Sequence, residues 1–377
     1  MRIVQVSPFF FPHAGGVESH VRALASEFSR GGHEVTVVTS RFDRSLPAEE
    51  SFEGYRVLRT RTSGVWLNTP IDPGTRRTIR ELSPEVFHFH YPPPLTAYYG
   101  LRALRGSRIP VVLTYHCDLY LPGLRGRVVT SAYRRFFLPP TFRRVNRFIV
   151  HTESYGRTSL ALRGRPLEII PSSVDLERFR PDEDVSAVRR MLGLEGKRVL
   201  AFTGRLVPHK GIDVLLRALP RLPADVVLHV VGRGPTLPNL ATTARRLGVE
   251  ERVRFCPNVS DADLPKFLRA ADLFVFPSQN RLEGFGLAVA EAMAAGLPVV
   301  IADMPGVREV IDPGVEGVLV EPLLVSDLVE QIRRLLDDPE TRRKMGAAAR
   351  QRAEERYSVR VVAGALIRVY QSLLEAG

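Results

Sequence analysis

Two doubly wound α/β domains are the fold class that this sequence predicts. Three observations carry the prediction. Short β-branched runs alternate with helical stretches along the chain. The rhythm stops and restarts once, after "IIPSSVDLERFRPDEDV". The length of 377 residues suffices for two domains of ordinary size. A parallel sheet covered on both faces requires this alternation, because a helix crosses over between successive strands.

The elements follow in order. "RIVQVS" reads as a first strand, "VESHVRALASEFSRGG" as a helix closed by glycines, and "HEVTVVTS" as the next strand. Further strands are predicted at "EVFHFH", "PVVLTYH" and "RFIVHT". Proline, serine and charge from Pro171 to Asp184 read as a linker. The second series runs "RVLAFTG", "DVVLHVVG", "RVRFCP", "DLFVFP", "PVVIA" and "GVLVE". The expected boundaries are 1–172 for the first domain, 173–356 for the second, and 357–377 for a C-terminal helix. Ligands of such sheets bind beyond the carboxyl ends of the strands, and a cleft between two such domains is the expected site.

Composition narrows the class. With 44% hydrophobic and 25% charged residues, the chain reads as a soluble globular enzyme. Two cysteines far apart, Cys117 and Cys256, offer neither a disulfide framework nor zinc spacing, and suit a reducing cytoplasm. The start "MRIVQVSPFFFP" lacks the long apolar region of a signal peptide. No apolar run reaches the roughly 18 residues of a membrane span. The net charge is +12, and residues 1–175 supply +10 of it, with 24 basic and 14 acidic residues. All but four of the 53 basic residues are arginine, which fits genome composition, but the asymmetry points to an acidic partner for the first half.

Four loops leave strand ends with chemistry on them. In "SPFFFPHAGGVESH", Gly15 and Gly16 precede a helix that starts near Val17. They permit close backbone approach to an anion at a helix N-terminus, or serve only as a turn. In "FTGRLVPHKG", Gly204 is followed by Arg205 and Lys210, two cations suited to a pyrophosphate, or to an ordinary basic loop. In "VVGRGP", Gly232 makes a βα turn that could also pack against a flat base. In "RLEGFGLAVAEAMAAG", Glu283 lies in a loop and Glu291 inside a helix expected from about Leu287 to Ala295. Gly284, Phe285, Gly286 and Leu287 form that helix start, whose N–H groups lack partners within the helix. An ionised carboxylate only accepts hydrogen bonds, so the two glutamates suit the hydroxyls of a sugar and a ribose.

Together these stretches resemble the retaining GT-B glycosyltransferases of family 4, including the phosphatidylinositol mannosyltransferases. The resemblance spans "GGVESHVRALASEFSRGGHEVTVVT", "GRLVPHKGIDVLLRAL", "VVGRGP", "ADLFVFPS" and "EGFGLAVAEAMAAGLPVV". It implies a donor sugar held by Glu283, a ribose held by Glu291, and a pyrophosphate on Arg205 and Lys210. Gly15 and Gly16 correspond to the family's phosphate-proximal pair, and His116 in "VVLTYHCD" to its active-site histidine. It also implies that the last helix, about Ser358 to Leu374, returns to the first domain. "PSSVD" replaces the usual Pro-Asn-Gly-Val-Asp, and Asn146 stands where aspartate is common; both leave the donor residues untouched.

Other features have two readings. His88 and His90 share one face of a strand and suggest a metal pair without a third ligand, a strand-end role for His90, or packing. Asp182-Glu183-Asp184 and Asp261-Ala262-Asp263 fit D-x-D but read as structural, the second as a helix cap. Tyr120 to Phe148 carries Arg125, Arg127, Arg134, Arg135, Arg143, Arg144 and Arg147, interleaved with apolar residues and no acid. This stretch suits an anionic membrane or the acceptor, or is a solvated basic helix; nothing reads as a nucleic-acid recognition module.

The expected activity is hexose transfer, of mannose or glucose, from a GDP- or UDP-sugar to an acceptor glycan or glycolipid, with no metal or cofactor. The expected location is the cytoplasm, at the inner face of the cell membrane where the basic stretch binds it. The rivals are a non-catalytic nucleotide-sugar-binding protein and a GT-B phosphorylase or sugar 2-epimerase.

Overall fold

The computed structural model describes residues 1–13, 15–66, 69–121, 123–181 and 184–376. The chain divides into two compact units, Met1–Ser173 with Val359–Gly377, and Val174–Ser358.

The first unit begins with β1 (Arg2–Val6), α1 (Gly16–Arg30) and β2 (Glu34–Arg41). Four short strands follow, β3 (Glu49–Phe52), β4 (Tyr55–Arg61), β5 (Gly64–Trp66) and β6 (Thr69–Ile71), and then α2 (Thr75–Glu81). Next come β7 (Val86–Tyr91), α3 (Pro94–Ala103), β8 (Val111–Tyr115), α4 (Gly123–Ala132), α5 (Leu138–Phe142), β9 (Arg147–Val150), α6 (Glu153–Thr158) and β10 (Leu167–Ile169). The sheet order β10-β9-β8-β7-β1-β2-β4-β3 is parallel except for β3, which runs antiparallel to β4. The chain therefore winds one way from β1 and the other way from β7, so β1 and β7 flank the point where the winding reverses.

The second unit holds α7 (Ser186–Met191), β11 (Arg198–Thr203), α8 (Ile212–Ala218), β12 (Val226–Val231), α9 (Leu237–Arg246), β13 (Val253–Cys256) and α10 (Leu264–Arg269). It continues with β14 (Leu273–Phe276), α11 (Leu287–Ala294), β15 (Val299–Ala302), β16 (Gly317–Val320), α12 (Val325–Asp337) and α13 (Pro339–Arg352). Its six strands run parallel in the order β13-β12-β11-β14-β15-β16, with the reversal between β11 and β14. The strands β12, β14 and β15 are buried along their whole length, as continuous apolar runs under helices on both faces require.

The last helix, α14 (Val359–Glu375), packs on the first unit. Its Val362, Leu366 and Tyr370 share a core with Val21, Leu24 and Phe28 of α1. The Tyr370 ring lies 5.9 Å from that of Phe28.

Two expectations need correction. The stretch read as a linker is largely built in: Val174 N donates to Tyr357 O at 2.7 Å, and Phe179 is buried in the core of the second unit. Of the first D-x-D triplet, Asp182 and Glu183 lie outside the described residues, and Asp184 accepts from Ser186 N at 2.9 Å. In the second, Asp263 stands at the start of α10 without capping it; its carboxylate accepts from Ser260 Oγ at 2.6 Å instead. Among the described residues no helix is long and apolar enough to cross a membrane.

Candidate active site

At the reversal point of the second unit, the loops after β11 and β14 leave neighbouring strands on the same edge, the position where doubly wound sheets bind ligands. Gly211 starts α8 in the left-handed region, and a Cβ on it would meet Pro277 O at 1.9 Å, so the two loops touch backbone to backbone. Hydrogen bonds stitch them further: Gln279 N donates to His209 O at 2.8 Å, and Gln279 Nε2 to Asp213 Oδ1 at 2.7 Å. This lattice places Lys210 Nζ 2.6 Å from Glu283 Oε1, with both side chains less than 15% exposed. His209 Nε2 approaches the same oxygen at 3.4 Å. The ammonium also lies 4.8 Å from the Phe276 ring centre. Burial pushes the Glu283 carboxyl up, but Lys210 and His209 outweigh it and hold the carboxyl down at about 2.

The loop then reaches Gly284, Phe285, Gly286 and Leu287. Phe285 is buried with its ring edge-on to Tyr357 at 5.3 Å, and Gly286, in the left-handed region, opens α11. Glu291 sits one turn inside that helix, and its carboxylate makes no hydrogen bond or ion pair with any described residue. Burial pushes its carboxyl up to about 7, against the pull of Arg178. Arg205 is exposed, and its guanidinium is likewise unpaired among the described residues. Gly204 and Gly232 end adjacent strands so closely that a Cβ on Gly232 would lie 1.9 Å from Gly204 O.

The glycine pair of the first unit differs from expectation. Gly15 and Gly16 do open α1, but the Glu18 carboxylate folds over them, and a Cβ on Gly15 would meet Glu18 Oε2 at 2.2 Å. Glu18 pairs with His13 at 2.9 Å. A carboxylate thus already lies where an anion would approach this helix N-terminus.

His116, just after β8, is partly buried, and both its ring nitrogens face other histidines. Nε2 lies 3.1 Å from His90 Nδ1, and Nδ1 lies 2.9 Å from His151 Nε2. His20 of α1 stands edge-on to His90, His116 and His151 at 5.5–6.0 Å between ring centres. Its Nδ1 accepts from Ser173 N at 3.2 Å and contacts the hydroxyls of Ser172 and Ser173, the serines of "PSSVD". His88 lies between Thr114 Oγ1, at 2.7 Å, and Tyr370 Oη, at 2.6 Å. Among the described residues, no group of histidine, cysteine or acidic side chains is arranged to hold a metal ion.

Residues 14–178 match the model of Glycosyltransferase Family 4, and residues 185–352 that of Glycosyl transferases group 1. The GDP-mannose-dependent alpha-(1-6)-phosphatidylinositol monomannoside mannosyltransferase of Mycolicibacterium smegmatis is 31% identical over 381 residues, covering 97% of each chain. The D-inositol 3-phosphate glycosyltransferase of Thermobispora bispora is 31% identical over 407 residues, covering 99% of this chain and 94% of that one. The chain belongs to glycosyltransferase family 4. Among solved structures, sucrose-phosphate synthase from Thermosynechococcus elongatus superposes with a TM-score of 0.83 at 21% identity, each chain fully covered, which shows the GT-B fold. This family 4 enzyme is a hexosyltransferase.

The basic stretch of this glycosyltransferase forms α4, a π-helical turn over Tyr133–Phe137, and α5. Leu124, Val128, Val129 and Phe136 are all more than half exposed. Helical spacing puts Leu124, Val128 and Val129 on one side, with Arg125 among them, opposite the buried Gly126. Arg125, Arg127, Arg135 and Arg143 are exposed, and Arg134 is half-buried. Arg144 does not belong with them. Its guanidinium donates to the carbonyls of Leu104, Ser107 and Ile109 and to Asn146 Oδ1, which makes it a structural clasp. Asn146 in turn accepts from Val111 N at 2.9 Å.

Sequence reasoning passed over His209, Glu18, His20 and His151. His209 adjoins Lys210 in a loop already singled out. The others become visible only when the strand ends are brought side by side.

Proposed function

We propose that this glycosyltransferase moves mannose from GDP-mannose, with retention of anomeric configuration, to a hydroxyl of a lipid-linked inositol phosphate. The observation that carries the reading is the set at the second unit's reversal point: buried Glu283 held by Lys210 and His209, beside the unpaired Arg205 and Glu291. Arg205 and Lys210 take the diphosphate, with the open first turn of α11 as a third anion partner. Glu283 accepts hydroxyls of the sugar and Glu291 those of the ribose, which supplies the hydrogen bonds that Glu291 lacks in the free protein. Gly204 and Gly232 keep side chains away from the donor, and Gly284 does the same at the sugar. The carboxylate of Glu18 favours the cations of the second unit over Gly15 and Gly16 as the main phosphate site.

In the reaction the bond from the anomeric carbon to the β-phosphate oxygen breaks. The acceptor oxygen bonds that carbon from the same face, and its proton passes to the leaving phosphate. Cations fixed before the reaction stabilise the charge that develops on the diphosphate. Loss of one such donor costs about 10²–10³ in kcat.

The acceptor reading draws on the relatives, whose names carry phosphatidylinositol or inositol 3-phosphate. The exposed apolar and basic face of α4 favours the lipid-linked form, at about 1 kcal/mol per basic residue near an anionic surface. A soluble inositol phosphate is the second reading, on the strength of the Thermobispora bispora relative.

The test is transfer of radiolabel from GDP-mannose to vesicles containing phosphatidylinositol, to free inositol phosphate, and to water, with UDP- and ADP-sugars in parallel. Product in the vesicles, lost in Lys210→Ala, supports the proposal. Undiminished transfer by Lys210→Ala, or turnover with free inositol phosphate alone, refutes the respective part of it.

A further inference from the structure

The carboxyl edge of the first unit's sheet carries a chain of hydrogen-bonding groups, four side chains and one backbone carbonyl, one per strand across five neighbouring strands. Gln5 comes from β1, His90 from β7, His116 from just after β8, His151 from just after β9, and the Ile170 carbonyl from just after β10. Each touches the next: Gln5 Oε1 to His90 Nε2 at 3.0 Å, His90 Nδ1 to His116 Nε2 at 3.1 Å, His116 Nδ1 to His151 Nε2 at 2.9 Å, and His151 Nδ1 to Ile170 O at 3.0 Å. The chain starts at the reversal point between β1 and β7.

Counting protons fixes its direction. A carbonyl oxygen only accepts, so His151 Nδ1 carries a proton. A neutral His151 then accepts at Nε2, and His116 must donate from Nδ1. The same step makes His116 Nε2 an acceptor and His90 Nδ1 a donor. His90 Nε2 is left as a lone pair facing Gln5 Oε1, two acceptors in contact. Either the three rings hold a fourth proton, or the Gln5 amide is turned.

Two observations decide between these. Gln5 is fully buried and its Nε2 has no hydrogen-bond partner among the described residues. A half-turn of the amide lets that orphan donate to His90 Nε2 and satisfies both groups. The surroundings also disfavour an added charge. Among the described residues, the titratable rings seen packed against the chain are His20 from α1, His88 from β7 and, behind His88, Tyr370 from α14. Burial first, and then mutual repulsion among the histidines, pull His20, His90 and His116 well below the ordinary range; burial alone brings His151 down to about 4 despite the Ile170 carbonyl.

We propose that Gln5, His90 and His151 are positioning residues that hold His116 as a neutral imidazole protonated on Nδ1, so that this ring moves no proton during sugar transfer. Both nitrogens of His116 are committed within the chain, and each ring donates a hydrogen bond from Nδ1 in the direction of Ile170. The part concerning transfer rests on the function proposed above; the part concerning tautomers does not.

Nitrogen-15 NMR of the histidines in the full-length protein, from pH 5 to 8, tests it. The expected result is three neutral rings protonated on Nδ1, the tautomer that free histidine disfavours. An imidazolium in the chain, or an Nε2 proton on His116, overturns the proposal. In Gln5→Glu the ionised carboxylate cannot donate, so the chain must take up a proton. A histidinium signal and a new ionisation in the pH profile of kcat/KM are then expected. Natural tautomers and an unchanged profile in Gln5→Glu, with the new carboxyl shown to be ionised by its carbon-13 shift, overturn it. Should Gln5→Glu not fold, His151→Leu removes the link to Ile170 O and should release the Nδ1 preference of His116; an unchanged tautomer there refutes the chain. Absence of transfer alongside the expected tautomers refutes the proposed function and supports the chain.

Discussion

Replacing Lys210 by methionine should destabilise the second unit and reverse how its stability depends on pH. In the natural protein burial raises the Glu283 carboxyl, yet Lys210 and His209 bring it from an ordinary 4.5 to about 2. A shift of that size is worth about 3 kcal/mol at ~1.4 kcal/mol per pH unit. The folded pKa is depressed, so this stability is fully present above pH 4.5 and is lost as pH falls toward 2. Lys210→Met keeps the apolar stem but leaves a buried carboxylate with His209 at 3.4 Å. Burial then dominates, the carboxyl rises above 4.5, and stability is lost as pH climbs instead. The expected cost at pH 7 is about 3–5 kcal/mol, the usual price of breaking a buried pair from one side. Trp66, the single tryptophan, lies exposed in the first unit, so its fluorescence reports the wrong half. Hydrogen exchange of peptides covering β11 and β14 across pH 4–8 measures the right one. Glu283→Gln added to Lys210→Met should restore most of the loss and abolish the pH slope. Natural exchange rates in Lys210→Met, or a double variant no better than the single, would refute the reasoning.

Three further outcomes are expected. Asp72 is buried among the hydroxyls of Thr60, Thr75 and Thr96, and burial raises its carboxyl to about 6 against their pull. Its folded pKa exceeds the unfolded one, so it favours the fold below pH 3.8 and loses that effect as pH rises through 6. Asp72→Asn should therefore gain up to about 3 kcal/mol in urea unfolding at pH 8, and much less at pH 5. His229 is fully buried beside Phe267 with neither ring nitrogen hydrogen-bonded among the described residues, and burial lowers it to about 4. His229→Leu should raise the melting temperature, by an amount equal to about 1–3 kcal/mol, and remove a loss of stability between pH 6.5 and 4. Gly232→Ala should drive its methyl into Gly204 O and weaken donor binding in calorimetry more than Gly248→Ala, where the space is open.

The strands that read clearly from sequence are those with long apolar runs, and each has its counterpart from β1 to β16. The short strands β3 to β6 and β10 did not stand out, because their burial alternates or is slight, and pairing rather than periodicity defines them. The donor-side loops were legible because glycine, cation and carboxylate lie close in sequence within each loop. That Lys210 and Glu283 meet was not, because the contact depends on β11 lying beside β14, 73 residues apart at Leu200 and Leu273. The histidine chain was invisible for the same reason: Gln5, His90, His116 and His151 each arrive from a different strand or strand end. Arg144 reads like its basic neighbours, and only the three carbonyls around it reveal a structural duty.

The position of α14 has a consequence for how the protein is made. The second unit begins at Val174 and ends at Ser358, and the hydrogen bond from Val174 to Tyr357 ties its two ends together. It is thus an insertion in the first unit, and its own strands and helices have all been synthesised before α14 is made. Tyr370, which fills the core beside Phe28 and bonds His88, is synthesised only after the whole second unit. The first unit is therefore completed only after the second, and until α14 is made the apolar face of α1 lacks its cover.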